Sequence, residues 1–323
     1  MTVLARRMHA QGLGGHATDV LTAVAAAAGL QAQDTAACRL SVRPRTSGLT
    51  AEDVTKACAD GTVVRTWLMR GTLHMVAAKD VHWMVSFFGP SLVRGQRRRR
   101  AELGLTDDIC ARALPALQDI LPGNALSRSS IVEQLNRRGI EVDPKGQAPA
   151  HMMFYAATHG LICRGPELAR DEPSYVLLDE WVTDRFTPDD PLQELGRRYH
   201  QAFGPASAED FAFWAGIPLG QARKVEPTDS DTVQHGLRLL PAFDTYVLGY
   251  KNRPVAEEFA KRVNAGGGMI RPTIVVDGRI AGTWRRRSGD IEIEPFEQLD
   301  RTALEVEVAD LSRFVGGDLH LVS

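Results

Sequence analysis

The chain has 323 residues, 44% of them hydrophobic and 24% charged, with a formal net charge of −2. That length suits about two to three compact units whose cores need neither disulfide nor metal, and the composition excludes collagenous, fibrous and wholly disordered classes. A slightly acidic balance argues against nucleic-acid binding by bulk charge, so any such contact has to come from local basic clusters.

No stretch of about 18 apolar residues occurs, which predicts no membrane-spanning helix. Arg6 and Arg7 near the N-terminus are not followed by an apolar segment with a small-residue cleavage site, so a cytoplasmic protein is expected. Cys38, Cys58, Cys110 and Cys163 form no CxxC clamp, so zinc, iron–sulfur clusters and other metals are not expected, nor is any cofactor. Of the 38 basic side chains, 32 are arginine. Arginine suits bidentate phosphate and base contacts, although a GC-rich genome yields the same excess of arginine and alanine.

In chain order, Thr18 or Asp19 caps a helix reaching Ala28, and Gly29 ends it. Asp34 caps the next helix, residues 35–42, which Pro44 stops. Thr50 caps a third, with Asp53 three residues on and Gly61 closing it. Residues 63–69 and 72–76 then read as two strands about an Arg70-Gly71 turn. Helices followed by a hairpin are the order of a winged helix. Residues 105–187 repeat it: helices at 107–121, 131–138 and 148–159, then strands at 161–163 and 175–178 around a polar, wing-like loop. A shorter helical set follows, at 191–203, 208–214 and 219–225, in helix-turn-helix order. Helical bundles with incidental hairpins fit the same pattern. Beyond residue 231 the character changes: 237–250 reads as an apolar, aromatic strand, 263–268 as a glycine-rich loop, and 270–276 and 280–284 as a hairpin about Asp277-Gly278. Residues 291–293 add a strand and 301–315 a helix. The organisation expected is α+β: 1–104, a first winged helix; 105–187, a second; 188–230, a third helix-turn-helix; 231–323, a β-rich module.

Few residues stand out for chemistry. Gln31-Ala32-Gln33 lies in the connector between Gly29 and Asp34, where an extended chain sends both carboxamides to one side. Two carboxamides can grip a water or a sugar, though neither titrates as a strong base. His74, on the strand after Arg70, is a candidate for support. Arg97 to Arg100 form a run on a helix expected from Ser91, and Arg285-Arg286-Arg287 follow the C-terminal hairpin. With Lys251 and Arg253 in a polar loop, such clusters can each neutralise a phosphate or two. Gly266-Gly267-Gly268 lacks the Lys-Ser/Thr of a phosphate loop. HExxH and GxSxG are absent, and so is the ligand set of a zinc deaminase.

Several segments together resemble one family: 30–33, 66–74, 239–244 with 248–250, and 271–278. The chain resembles the winged-helix DNA glycosylases of the AlkZ family, which includes the related YcaQ type, and its Gln31-Ala32-Gln33 matches the Gln-x-Gln of the AlkZ branch. The resemblance covers nearly the whole chain. It implies a C-shaped protein of tandem winged-helix motifs that encircles duplex DNA, excises bulky cationic N7-alkylpurines and unhooks interstrand crosslinks, in repair or in self-resistance to a DNA-alkylating natural product. It implies Gln31 and Gln33 as catalytic residues, with His74 and Arg70 in support. Lys251, Arg253, Arg271, Arg285 and Arg286 would contact DNA, and the 270–284 hairpin would face it. A monomer is expected, since no dimer helix stands out. Two other readings stay open: a non-enzymatic winged-helix regulator, and a protein that sequesters a drug in an apolar pocket.

Overall fold

The computed structural model describes residues 3–228 and 230–322. The protein is α+β, and its contacts divide it into two compact units. One joins residues 1–54 to 192–323; the other is 55–191. The chain passes from the first to the second inside the helix Ala51–Ala59. No helix among the described residues is long and apolar enough to cross a membrane.

In the unit of residues 55–191, an antiparallel sheet runs in the order Leu73–Ala77, Val63–Trp67, Ile162–Arg164, Ser174–Leu177, Leu126–Ser127. The first two strands pair from Val63↔Ala77 to Trp67↔Leu73, and Arg70 (φ 56°) and Gly71 (φ 71°) lie in the connection. The helix Ala148–Thr158 is apolar nearly all round and is the spine of this unit, which explains its weak amphipathic signal. It packs on the helices Asp107–Ile120 and Arg128–Arg137, through Leu117, Ile131 and Leu135. The helix Val81–Gly95 comes so close that a Cβ on Gly89 would stand 2.1 Å from the Thr158 carbonyl oxygen. That helix begins ten residues before the expected start at Ser91 and runs through Pro90. Its apolar face, including Trp83, Met84 and Phe88, outweighs the proline as a helix stop. The arginine run falls on a separate short helix, Arg97–Glu102.

In the other unit, a 5-stranded sheet has the order His320–Val322, Asp290–Pro295, Arg279–Arg287, Thr273–Val276, Leu237–Leu240. The helix Arg301–Val315, capped by Asp300 and ended at Gly316, lays Leu304, Val308 and Leu311 on Leu239, Ile274 and Trp284. Tyr199, Phe203, Phe211 and Trp214, from the helices Pro191–Phe203 and Ala208–Ala215, form an aromatic cluster with centroids about 5 Å apart.

Three expected elements differ. The 237–250 strand stops at Leu240, because Pro241 has no N–H to donate, Phe243 takes φ 59° and Asp244 caps a new helix, Thr245–Leu248. The 270–276 strand splits at Pro272. Thr273–Val276 stays in the sheet, while Met269–Ile270 pairs with Asn264–Gly266 as a separate, mostly exposed hairpin. The turn Asp277 (φ 48°) and Gly278 (φ 84°) has the double positive φ that Asp-Gly favours. It does not project from the protein: a Cβ on Gly278 would lie 2.3 Å from the Leu4 carbonyl oxygen, and the Tyr246 hydroxyl donates to the Gly278 carbonyl. The hairpin expected to face DNA is thus an inner part of the sheet, and the free one is its neighbour at 264–270.

Candidate active site

Two helix caps shape the Gln31 connector. Asp19 accepts the Thr22 amide at 2.7 Å and the Thr22 hydroxyl at 2.8 Å, which starts the helix Val20–Ala26. These bonds hold the Asp19 carboxyl below its ordinary pKa. The helix closes where Ala28 (φ 54°) and Gly29 (φ 96°) turn left-handed and the Gly29 amide returns to the Val24 carbonyl at 3.0 Å. Asp34 then accepts the Ala37 amide at 2.7 Å and starts the helix Thr35–Val42.

Between the caps, Leu30 and Ala32 are buried, Gln31 is 6% exposed and Gln33 is open to solvent. The Gln31 Nε2 donates to the Gln33 Oε1 at 2.8 Å. The two carboxamides therefore do lie on one side. Gln33 Oε1 keeps a second lone pair, and its amide group keeps donors, for whatever approaches from solvent.

The helix that leaves this connector is clamped at its far end by two buried arginines that sequence reading passed over. Arg43 donates to Glu307 at 2.8 Å, to Asp310 at 2.7 Å and to the Leu239 carbonyl at 2.6 Å. Burial alone would lower its pKa; the two carboxylates more than offset that, and the net shift is upward. Arg45 forks onto Asp244 with both bonds at 2.9 Å, and also donates to the Ser41 carbonyl at 2.6 Å and to Gln11 Oε1 at 3.0 Å. Asp244 also caps Tyr246. An Arg-Pro-Arg ending a helix was the signal available, since two arginines there need acidic partners if they are inside.

His74 and Arg70 belong to the other unit. His74 is 1% exposed, and its Nδ1 lies 2.9 Å from the Thr72 carbonyl. A carbonyl only accepts, so Nδ1 carries the proton and Nε2 is bare. Burial and then the Arg70 charge push the His74 pKa down to about 3, so the ring is neutral near pH 7.

The expected DNA contacts differ in how free their charge is. Lys251 is exposed, and Arg253 is half-buried with its pKa lowered by burial. Arg271 lies 3.8 Å from Glu294, and Arg285 is paired with Glu292. Arg286 donates to the Ser288 carbonyl at 3.0 Å and has no carboxylate partner among the described residues. The run at 97–100 is partly neutralised: Arg97 meets Asp107, Arg98 and Arg99 share Glu102, and Arg100 turns inward to the Val93 carbonyl.

The comparisons with known proteins give the class, a DNA repair enzyme. Residues 24–228 and 224–314 match the family described as DNA glycosylase AlkZ-like, so the chain belongs to the AlkZ-like DNA glycosylase family, enzymes that hydrolyse N-glycosyl bonds. It is 26% identical over 335 residues, 89% of this chain and 88% of the relative, to the interstrand DNA cross-link repair glycosylase of Streptomyces sahachiroi. The solved structure of the Streptomyces sahachiroi DNA glycosylase AlkZ superposes with a TM-score of 0.80 at 25% identity, covering 99% of this chain and 98% of that one. These matches give the regulator reading no support.

Proposed function

We propose that the enzyme hydrolyses the N-glycosidic bond of bulky, cationic N7-alkylpurines in duplex DNA, and unhooks interstrand crosslinks made through such bonds, with Gln31 and Gln33 as its chemical centre. The single observation that carries this is the Gln31–Gln33 hydrogen bond at 2.8 Å, made by one buried and one exposed carboxamide. The cross-link activity named for the Streptomyces sahachiroi relative supports the substrate class.

The chemistry asks little of the protein as an acid. An N7-alkylpurine is already cationic, so as the N9–C1′ bond breaks its electron pair neutralises the base and no proton donor is needed. What remains is to stabilise positive charge on the sugar and to aim a water at C1′. Gln33 Oε1 accepts a hydrogen bond from that water through its free lone pair and so turns the water oxygen towards C1′; once the C1′–O bond forms, the water's proton passes to bulk solvent. Gln31 holds the Gln33 carboxamide in that orientation and presents its own dipole to the sugar. Preorganised dipoles of this kind lower the barrier by about 3–4 kcal/mol each. His74, neutral and buried, serves as support and not as an acid, and Arg70 gives positive charge beside it. The 264–270 hairpin, with Met269 53% exposed at its tip, is a candidate wedge against base pairs. Lys251, Arg253, Arg271, Arg285 and Arg286 are the proposed phosphate contacts. The winged-helix segmentation at 104, 187 and 230, a monomeric state and a cytoplasmic location belong to the same reading, as does a role in repair or in self-resistance.

The test is strand cleavage after alkali on a duplex with one N7-methylguanine and on one with a bis-N7-guanine crosslink. The wild type should cut at both lesions. Gln33→Ala should lose at least about a hundredfold in rate while its DNA affinity stays within about twofold. Parallel loss of rate and affinity would reduce Gln33 to a loop residue, and no cleavage of either duplex would end the proposed reading.

A further inference from the structure

The unit of residues 55–191 carries a cleft of about 650 Å³ between the helix Arg128–Arg137 and the wing-like loop that ends at Ser174–Leu177. Its lining carries charges of both signs, among them Arg128, Arg164 and Glu172. Arg164 is held flat, its guanidinium carbon 4.7 Å from the Tyr175 ring centre and 5.6 Å from that of Trp67. Its buried Nε has no hydrogen-bond partner. Burial lowers the Arg164 pKa, a hydrogen bond with the Tyr175 side chain acts against that, and the nearby charges of Arg65 and then Arg128 lower it further, so these cations repel one another in the absence of an anion. Glu172, on the wing-like loop that also lines the cleft, is exposed and has no cationic partner among the described residues. The other charges on the wall, Arg137 and Glu133, neutralise each other at 2.5 Å. Val132 and Pro149 add apolar surface to the lining.

A ligand that answers this lining has an anionic group, hydrogen-bond donors and a flat apolar body. Arginine pairs bidentately with phosphate. A carboxylate accepts the paired N–H groups on the Watson–Crick edge of guanine. The volume lies within the range of small-ligand sites, about 300–1,000 Å³, and is far more than a lone phosphate needs. We infer that this cleft binds a guanine nucleotide, its phosphate on Arg128 and Arg164 and its base edge on Glu172. The nucleotide comes either as a free mononucleotide or as one unpaired residue of a DNA strand. This goes beyond base excision at Gln33, and its assay uses no lesion, so the two readings fail independently.

Calorimetric titration of the full chain distinguishes the sources. The probes are dGMP, dCMP, deoxyguanosine, inorganic phosphate, and a short single-stranded thymine oligonucleotide carrying one guanine. dGMP should bind with a Kd below about 1 mM, and deoxyguanosine, dCMP and phosphate at least about tenfold more weakly. If the oligonucleotide binds and dGMP does not, and Arg128→Glu abolishes that binding, the ligand is a strand nucleotide. Arg128→Glu should weaken the ligand at least about tenfold, and Glu172→Gln should erase the preference for guanine over cytosine. Both positions are exposed, and unchanged melting temperatures will show that the variants fold. Three results overturn the inference: no saturable binding of either guanine probe, binding that Arg128→Glu leaves intact, or phosphate binding as tightly as dGMP.

Discussion

His74 shows how much one buried ring can write into the acid stability of a protein. Its folded pKa is about 3 against an ordinary 6.5, for reasons of burial first and of Arg70 second. Between those values the unfolded chain binds a proton that the folded chain refuses. Stability from this group is therefore complete above about pH 6.5 and is lost as pH falls towards 3. At pH 5 the loss is about 2 kcal/mol. His151 and His159 shift the same way, so the wild-type slope is not due to His74 alone. His74→Asn keeps a donor for the Thr72 carbonyl and has no titration in this range. Denaturant midpoints at pH 7 and pH 5 should thus fall less in that variant, and an equal fall in both proteins would show that His74 is not the titrating group.

At the scale of elements, the connector bearing Gln31 and Gln33 is short, and its position depends on what holds the helix after it. Arg45 and Asp244, both essentially unexposed, lock the end of the Thr35–Val42 helix to the Leu237–Leu240 strand region. Removing one member leaves a buried charge unpaired, which costs about 3–5 kcal/mol. Arg45→Met should lower the melting temperature by about 6–20 °C. Arg45→Lys keeps the charge without the planar fork and should fall between the two. Excision at a temperature where Arg45→Lys stays folded should also slow, because the helix end can then shift. A melting point for Arg45→Met within about 2 °C of the wild type would show that the clamp contributes little.

For the molecule as a whole, a net charge of −2 has to be reconciled with a polyanionic substrate. The reconciliation is local. Many arginines are already paired with carboxylates, and the pairing separates those able to take a phosphate from those that are not. Arg286 has no carboxylate partner among the described residues, whereas Arg285 shares Glu292 with Arg287. Arg286→Ala should reduce the slope of log affinity against log salt by about one, with Arg285→Ala changing it by less. Equal changes would mean that Glu292 lets go of Arg285 when DNA arrives.

Local chemistry was legible in the sequence where the cause is local. Asp19 and Asp34 have side chains that satisfy the first amides of the helices they precede, and Asp277-Gly278 makes the turn its φ angles permit. The period-two placing of Gln31 and Gln33 likewise follows from an extended connector of four residues, 30–33, between two capped helices. What depends on distant chain segments was not legible. The Val81–Gly95 helix runs through Pro90 because its apolar face has a buried neighbour. The Asp277-Gly278 turn does not stand free because Leu4 packs against Gly278, and the Arg43 and Arg45 clamp exists because residues 199 to 267 positions away supply the acids. Backbone caps and turns are decided within a few residues, whereas burial and charge pairing are decided by whatever the folded chain brings alongside; the sequence by itself therefore determined the elements and the candidate carboxamides, and only the tertiary structure decided which charges are free and which hairpin is exposed.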